Sequence, residues 1–231
     1  AYNEELRLRH TLPELKAFLK KQRFSWEVIL VDDGSTDCTT QTVSEFFKEE
    51  SCQILINGKN YGKGFSTRRG VIESKGEMIL LSDADLSTPL RDYYKLKAKL
   101  DSGFDIAIGS RSLAESNVTI HQAWYRENMG RSFNRLVKSI VIDDFIDTQC
   151  GFKLFPRSIG KPIFEKMTID RFSFDVEFLY LVKKAGYNIA EVPVEWHNVP
   201  ESRVRILIDA PKMLLDLFRI RLNDWFGKYD G

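Results

Sequence analysis

Short apolar runs recur through the first half of the chain, and each stops at polar or acidic residues: "WEVILVDDGS", "CQILIN", "EMILLSDAD" and "FDIAIGSR". Between them lie helical stretches, so strand and helix alternate. That predicts an α/β fold with a mostly parallel sheet flanked by helices on both faces. In such a sheet ligands sit just beyond the carboxyl ends of the strands. The polar residues that close these runs therefore face one crevice.

The run "MILLSDADLSTP" poses the chemical question. One reading has Asp83 closing the strand and Asp85 capping the next helix. The other is metal binding, because residues two apart along a strand share a side, and two carboxylates suit a hard divalent cation that bridges to phosphates. "AYNEE" and "VDDGS" place further acids on the same edge, Glu4 and Asp33 among them. So many acids repel unless a cation or hydrogen-bond donors balance them, which favours the metal.

Charge and cysteine content narrow the class. Lys plus Arg number 34 against 33 for Asp plus Glu, so no global field points to nucleic acid and partners must be argued locally. The 3 cysteines are far apart without C-x-x-C spacing, so neither a zinc site nor a disulfide framework is expected. No run approaches the roughly 20 apolar residues of a membrane span, and no signal peptide is read at the start, so the chain is expected to be soluble or peripheral. The strand "WEVILVDD" needs a sheet neighbour that the sequence does not supply, so a strand ahead of Ala1 is expected, and an anchor there would be out of sight.

A helix over 4–22 is expected to be interrupted early by Pro13, and a polar helix is expected over about 36–49. After Arg111 come a loop over 112–123, a basic helix "YRENMGRSFNRLVKSIV", the stretch "DTQCGFKLF", a helix near 157–166 and the aromatic "DRFSFDVEFLYLVKKAG". In the tail "RVRILIDAPKMLLDLFRIRLNDWFG", Asp209, Lys212, Asp216, Arg219 and Asn223 recur at helical spacing, with Pro211 placed in the first turn. This amphipathic helix either packs on its own domain or lies at a membrane interface, where Arg203, Arg205, Arg219, Arg221 and the Trp225–Phe226 pair would favour it.

Taken in order, "YNEE", "VDDGSTD", "NYGKG", "SDAD" and "GSR" resemble the GT-A (Rossmann-like) nucleotide-sugar transferases of family 2 across nearly the whole chain. The resemblance implies that Tyr2 and Glu4 contact the nucleobase and ribose and Asp33 the base edge. Lys63 would lie near the nucleoside, Asp83 would reach the ribose or the metal shell, and Asp85 would ligate Mg²⁺ or Mn²⁺ directly. The second half resembles the branch that transfers glucose from UDP-glucose to dolichyl or another polyprenyl phosphate, with GDP-mannose as the competing donor. Within it, Asp147 and Gln149 of "DTQCGF" are expected along the sugar pocket. On this reading residues 1–231 form one domain, with a nucleotide-sugar half (1–111), an acceptor half (112–200) and a tail (201–231) on the cytoplasmic face of a membrane.

A phosphate acceptor also suits the chemistry. A hydroxyl needs a general base, whereas a phosphate monoester, with a second pKa of about 6, is already an anionic nucleophile. It needs cations, and Arg111, Arg126, Arg131 and Arg135 are the candidates, with Ser132 and Asn134 adding hydrogen bonds. Asp83, Asp85, Arg111 and Arg131 are the expected catalytic set. Asp175 is expected to orient an arginine. Two rivals remain: a non-catalytic nucleotide-sugar-binding domain, and a signalling receiver domain, which would be far shorter.

Overall fold

The chain alternates as expected through its first half. Helix α1 (Glu5–Lys20) leads to strand β1 (Val28–Asp32), α2 (Thr39–Phe46), β2 (Cys52–Ile56), α3 (Lys63–Glu73) and β3 (Met78–Leu81). A 3-10 turn at Leu90–Asp92 enters α4 (Tyr93–Asp101), and β4 (Ile106–Ser110), β5 (Asn117–Ile120), α5 (Trp124–Ile140) and β6 (Lys153–Pro156) come next. Then come α6 (Arg157–Lys166), α7 (Phe174–Lys184), β7 (Ile189–Pro193), β8 (Glu195–His197) and α8 (Ile206–Trp225). The computed structural model describes residues 1–48, 51–120, 124–197 and 206–230, with the side chains at 119, 120, 124–128, 131, 206 and 207 outside the description.

Parallel pairing joins β1 to β2, β4 to β7 and β5 to β8. Strand β6 is the exception: it runs antiparallel between β3 and β4, giving the order β3-β6-β4-β7. Alternation divides this sheet between two cores. Ile106, Ile108 and Phe155 face α5, α6, α7 and α8, while Ala107, Leu154 and Val192 face Leu96 of α4. A third cluster packs Leu8 and Leu12 of α1 against Val43 and Phe47.

Several expectations need correction. Pro13 does not interrupt α1, which runs unbroken with Pro13 exposed while Leu8, Leu12 and Leu19 are buried on its inner face. Pro211 lies in the second turn of α8, since that helix starts at Ile206. The loop expected over 112–123 contains β5, stabilised by pairing with β8, which sequence periodicity cannot report. Helix α2 is shorter than expected, starting at Thr39, whose N–H and hydroxyl both donate to Asp37.

The start of α7 ties the second half together. Glu177, fully buried, accepts the N–H groups of Thr168 and Ile169, the Thr168 hydroxyl and the Tyr229 hydroxyl. Burial and the Glu177 charge push the Tyr229 phenol above its ordinary value. Beside it, Phe178 packs on Phe155 and Phe164 at ring distances of 5.2 and 5.0 Å. Truncating such a fully buried ring leaves a cavity the sheet cannot close. Phe178→Ala is expected to lower the unfolding free energy by about 3–5 kcal/mol, measured by urea denaturation.

Candidate active site

The strand ends converge as the alternation requires. Tyr2, Glu4, Asp33, Lys63, Asp83, Asp85, Arg111 and Gln149 all line one cavity of about 2470 Å³. That volume includes an apolar gap between β1 and β3 lined by residues 28–31 and 78–81.

Asp33 is buried and takes its donors from the protein. One oxygen accepts Asn57 Nδ2 and the Tyr61 N–H at 2.9 and 3.0 Å, and the other accepts the Gly62 N–H at 2.8 Å. The residue predicted at the base edge thus shapes the loop ahead of α3. That loop lies flat on the segment 169–171. Gly62 has φ +116°, and a Cβ there would stand 2.5 Å from the Asp170 carbonyl oxygen, while one at Gly64 would overlap that of Ile169. Glu4 is buried and pairs with Arg7 at 2.6 Å. Tyr2 is more open, at 37 % exposure.

The two aspartates after β3 are separated by their bonds. Lys63 Nζ lies 2.6 Å from Asp83 Oδ1. Asp85 Oδ1 accepts the Ser87 N–H at 2.9 Å across a tight turn in which Leu86 has φ +47°. Burial would lower the Lys63 ammonium, but the carboxylates of Asp83 and Asp175 outweigh it and raise it above its usual value. Burial likewise opposes ionisation of Asp83, and Lys63, Lys153 and Arg111 together hold its carboxyl below the usual range. Gly151 makes this possible, since any Cβ at that position would overlap the Asp83 carboxylate.

Metal fit is decided by the donor set. Among the described residues no cluster of three or more His, Cys, Asp or Glu could hold an ion. Asp83 and Asp85 supply hard oxygens for an incomplete shell, which suits a cation whose remaining ligands come from a diphosphate and water.

Arg111, predicted to meet a phosphate, is held by Asp147. Its Nε and Nη2 donate to Oδ2 and Oδ1 at 2.7 and 2.9 Å, its backbone N–H donates at 3.0 Å, and Trp196 lies 5.6 Å from the guanidinium. Burial would raise Asp147, yet Arg111 holds it below the usual carboxylate range. Asp147 is itself placed by Glu191, whose carboxylate accepts the N–H groups of Ile146 and Asp147. Gln149 lies half-buried beside them, its N–H on Asp147. Cys150 is packed, its thiol pushed up to about 11 by burial and the Asp147 charge.

Asp175 corrects a further expectation: it pairs with Lys153, not an arginine. Both side chains are buried, and Lys153 also donates to the Cys150 carbonyl at 2.6 Å. The signal for Lys153 was present in the sequence as a lone charge inside the apolar run "FKLFP".

The remaining cations stand apart. Arg135 of α5 lines the cavity, whereas Ser132 is exposed and does not; the side chains of Arg126 and Arg131, also on α5, lie outside the described residues. Asn134 donates to the Ile146 carbonyl, fixing α5 against the Asp147 segment. Sequence reasoning missed further cavity-lining cations, among them Lys138, Arg171 and Lys212. Among the described residues these and Arg135 form no ion pair. Only contact with the cavity, which a sequence does not display, singles them out.

Comparison with known proteins identifies the family and the fold. The family model described as "Glycosyl transferase family 2" matches residues 1–159. A dolichyl-phosphate beta-glucosyltransferase of Drosophila melanogaster is 36% identical over 245 residues, covering 99% of this chain and 74% of that protein. The Homo sapiens protein of the same description is 34% identical, covering 99% of this chain and 75% of its own length. Among solved structures, mannosyl-3-phosphoglycerate synthase from Rubrobacter xylanophilus superposes with a TM-score of 0.71 at 16% identity, covering 99% of this chain and 73% of that one. Glucosyl-3-phosphoglycerate synthase from Mycobacterium tuberculosis, with Mn²⁺ and UDP-glucose, gives 0.67 at 16%, covering 96% and 76%. At that identity the structural likeness speaks to the fold, which is GT-A.

The Arg111–Asp147 pair yields a pH signature. An aspartate held below its unfolded value of about 3.9 stabilises the fold above that pH, and the contribution disappears as pH falls through the lower folded value. Asp147→Asn is expected to cost about 2–3 kcal/mol at pH 7, discounted from a fully buried pair because Arg111 is partly exposed. Chemical denaturation at several pH values should show that deficit unchanged from pH 7 to about pH 5 and shrinking below about pH 4.

Proposed function

The chain belongs to glycosyl transferase family 2 and is a glycosyltransferase, and we propose that it transfers glucose from UDP-glucose to dolichyl or another polyprenyl phosphate. The observation that carries this reading is the division of charge within one cavity. Lys63 and Arg111 are engaged by Asp83 and Asp147, while Arg135, Lys138, Arg171 and Lys212 meet no carboxylate among the described residues. A cavity so furnished suits anionic ligands at both ends. The choice of glucose and of the lipid rests on the descriptions of the relatives.

In this reading Tyr2, Glu4 and the loop shaped by Asp33 receive the nucleoside, and Gln149 borders the sugar. Asp83 and Asp85 would hold Mg²⁺ or Mn²⁺, whose chemistry when bound is to offset charge on the departing diphosphate. Lys63, beside Asp83, would stand where it can meet the phosphates. Arg135, Lys138 and Lys212 seat the acceptor phosphate, together with the Nη1 edge of Arg111 that Asp147 leaves open. One phosphate oxygen forms a bond to the anomeric carbon from the face opposite UDP, the bond from that carbon to the UDP oxygen breaks, and the α-linked donor yields a β-linked product. No general base is required, and Asp175, committed to Lys153, is not placed to act as one.

The lipid arrives along α8. Ile208, Lys212 and Met213 at its start line the cavity, while Leu215, Phe218, Leu222, Trp225 and Phe226 are exposed farther along, the last two by 84% and 74%. No helix among the described residues is long and apolar enough to cross a membrane. This helix lies on the cytoplasmic surface of a membrane, its aromatics in the headgroup layer and Arg219, Arg221 and Lys228 toward anionic lipid.

Transfer of radiolabelled sugar to a short polyprenyl phosphate tests the activity. UDP-glucose with Mg²⁺ or Mn²⁺ should give labelled lipid, chelator should abolish it, and Asp85→Asn should reduce it roughly a hundredfold or more. Transfer from GDP-mannose alone would move the donor assignment, and nucleotide binding with neither transfer would favour a non-catalytic role. Gly151→Ala is sharper, because the overlapped group is the mobile end of Asp83: activity should fall by about tenfold or more with little change in melting temperature. For the surface, replacing Trp225 and Phe226 together with serine should abolish co-sedimentation with anionic vesicles while leaving urea stability within about 0.5 kcal/mol of the parent.

A further inference from the structure

The turn that carries Asp83 and Asp85 leaves the sheet at Leu81 and is held mostly by its own neighbours. The Leu86 N–H donates to the Asp83 carbonyl at 3.1 Å, the Ser87 N–H to Asp85 Oδ1 at 2.9 Å, and the Ser82 hydroxyl to the Asp83 carbonyl at 3.3 Å. Each of those bonds is local. Leu86 takes φ +47°, a left-handed conformation that a leucine seldom adopts and that persists only where its surroundings fix it. A constraint from outside the turn is therefore needed.

Thr11 of α1 supplies one. Its hydroxyl donates to the Ala84 carbonyl at 2.9 Å, across 73 positions of sequence. A threonine inside a helix ordinarily turns its hydroxyl back on the carbonyl four residues earlier, and Thr11 Oγ1 lies 3.3 Å from that of Arg7. One hydroxyl carries one proton, and the shorter contact is the one to Ala84. Among the described residues this is the one hydrogen bond from another element that reaches the backbone of 83–86. Ala84 also packs against the cluster of Leu8, Leu12, Val43 and Phe47. Leu8 and Leu12 are each 3 % exposed, so the helix that offers Thr11 is itself fixed by burial.

Ala84 stands between the two aspartates, and its carbonyl belongs to the peptide group that ends at Asp85. That group is planar and moves as a unit, so turning the carbonyl away from Thr11 rotates ψ of Ala84 and φ of Asp85 together and swings the Asp85 side chain. Thr11 and Asp85 both line the cavity. We propose that Thr11 is a positioning residue for Asp85: through the Ala84 carbonyl, its hydroxyl fixes the direction in which the Asp85 carboxylate meets a divalent cation beside a nucleoside diphosphate. The inference rests on the reading of Asp85 given above and names the group that sets its aim. Loss of an outer partner of a metal-ligating side chain commonly weakens metal binding by about ten to a hundredfold.

Two substitutions test it. Thr11→Val removes the donor while keeping the shape and the helix propensity of the position, and Thr11→Ser restores the donor. Mn²⁺ binding in the presence of UDP, followed by electron paramagnetic resonance, should weaken about tenfold in Thr11→Val and stay within about twofold of the parent in Thr11→Ser. UDP affinity without metal should be equal in all three proteins. Amide exchange adds a readout that needs no metal: the Ser87 N–H, whose acceptor is Asp85 Oδ1, should exchange about fivefold or more faster in Thr11→Val and at the parent rate in Thr11→Ser. Parent-like Mn²⁺ binding or parent-like Ser87 exchange in Thr11→Val would overturn the inference. So would a Thr11→Ser protein that behaves as Thr11→Val does, or a loss of metal-free UDP affinity as large as the loss of Mn²⁺ binding, which would mark a general disturbance of α1. A parent that binds no Mn²⁺ beside UDP or GDP would instead overturn the reading of Asp85, and this inference with it.

Discussion

Carboxylates crowd one edge of this sheet, and the site exists because each of the inner ones is matched to a single cation. Asp83 has Lys63, Asp147 has Arg111 and Asp175 has Lys153. In a medium of low dielectric an unmatched charge costs several kcal/mol, so the buried Asp147 and Asp175 cannot be neutralised without consequence, whereas the more open Asp83 can shift. The pairs also interlock. Lys153 and Arg111 both act on Asp83, and Asp175 acts on Lys63. Strand β6, inserted antiparallel between β3 and β4, sets Lys153 opposite Leu81, two residues ahead of Asp83.

Around these pairs a second set of carboxylates works on the backbone. Asp33 gathers the N–H groups of the glycine loop, Glu191 those of Ile146 and Asp147, and Glu177 those of Thr168 and Ile169. Asp33 and Glu191 each fix an irregular segment that lines the cavity, and Glu177 fixes one outside it. Loops supply adaptable surface, and here it is made rigid by acids rooted in a strand end or a helix.

Much of this was legible in the sequence because it depends on local pattern. Apolar runs ending in polar residues marked the strands and the common edge, but the two acids of "SDAD", read by strand alternation, lie past the end of β3 at Leu81 on a turn. What was not legible depends on long-range pairing. The four residues of β6 carry no sign of direction, and β5 exists only through β8. Asp33 looked like a ligand group because its partners, Tyr61 and Gly62, are distant in sequence, and Arg111 looked free because Asp147 is 36 positions away. Lys138, Arg171 and Lys212 carry no motif and are marked only by where the fold puts them. The Pro13 error has another origin: local propensity was overruled by burial of the opposite helix face.

The contrast between engaged and open cations bears on the acceptor. A hydroxyl acceptor would need a base near the anomeric carbon, and the buried carboxylate best placed in sequence for that role, Asp175, is tied to an ammonium that would have to be left unpaired for it to serve. A phosphate needs no base, and it would be repelled by the edge carboxylates if they were not already matched. In the proposed reaction, pairing the inner acids while Arg135, Lys138, Arg171 and Lys212 meet no carboxylate among the described residues would do two things at once: remove repulsion where a diphosphate would lie, and provide attraction for a second phosphate. On the proposed reading, a lipid tail on that second phosphate would follow the exposed apolar residues of α8, so charge would select the head of the acceptor while the helix accommodates the rest.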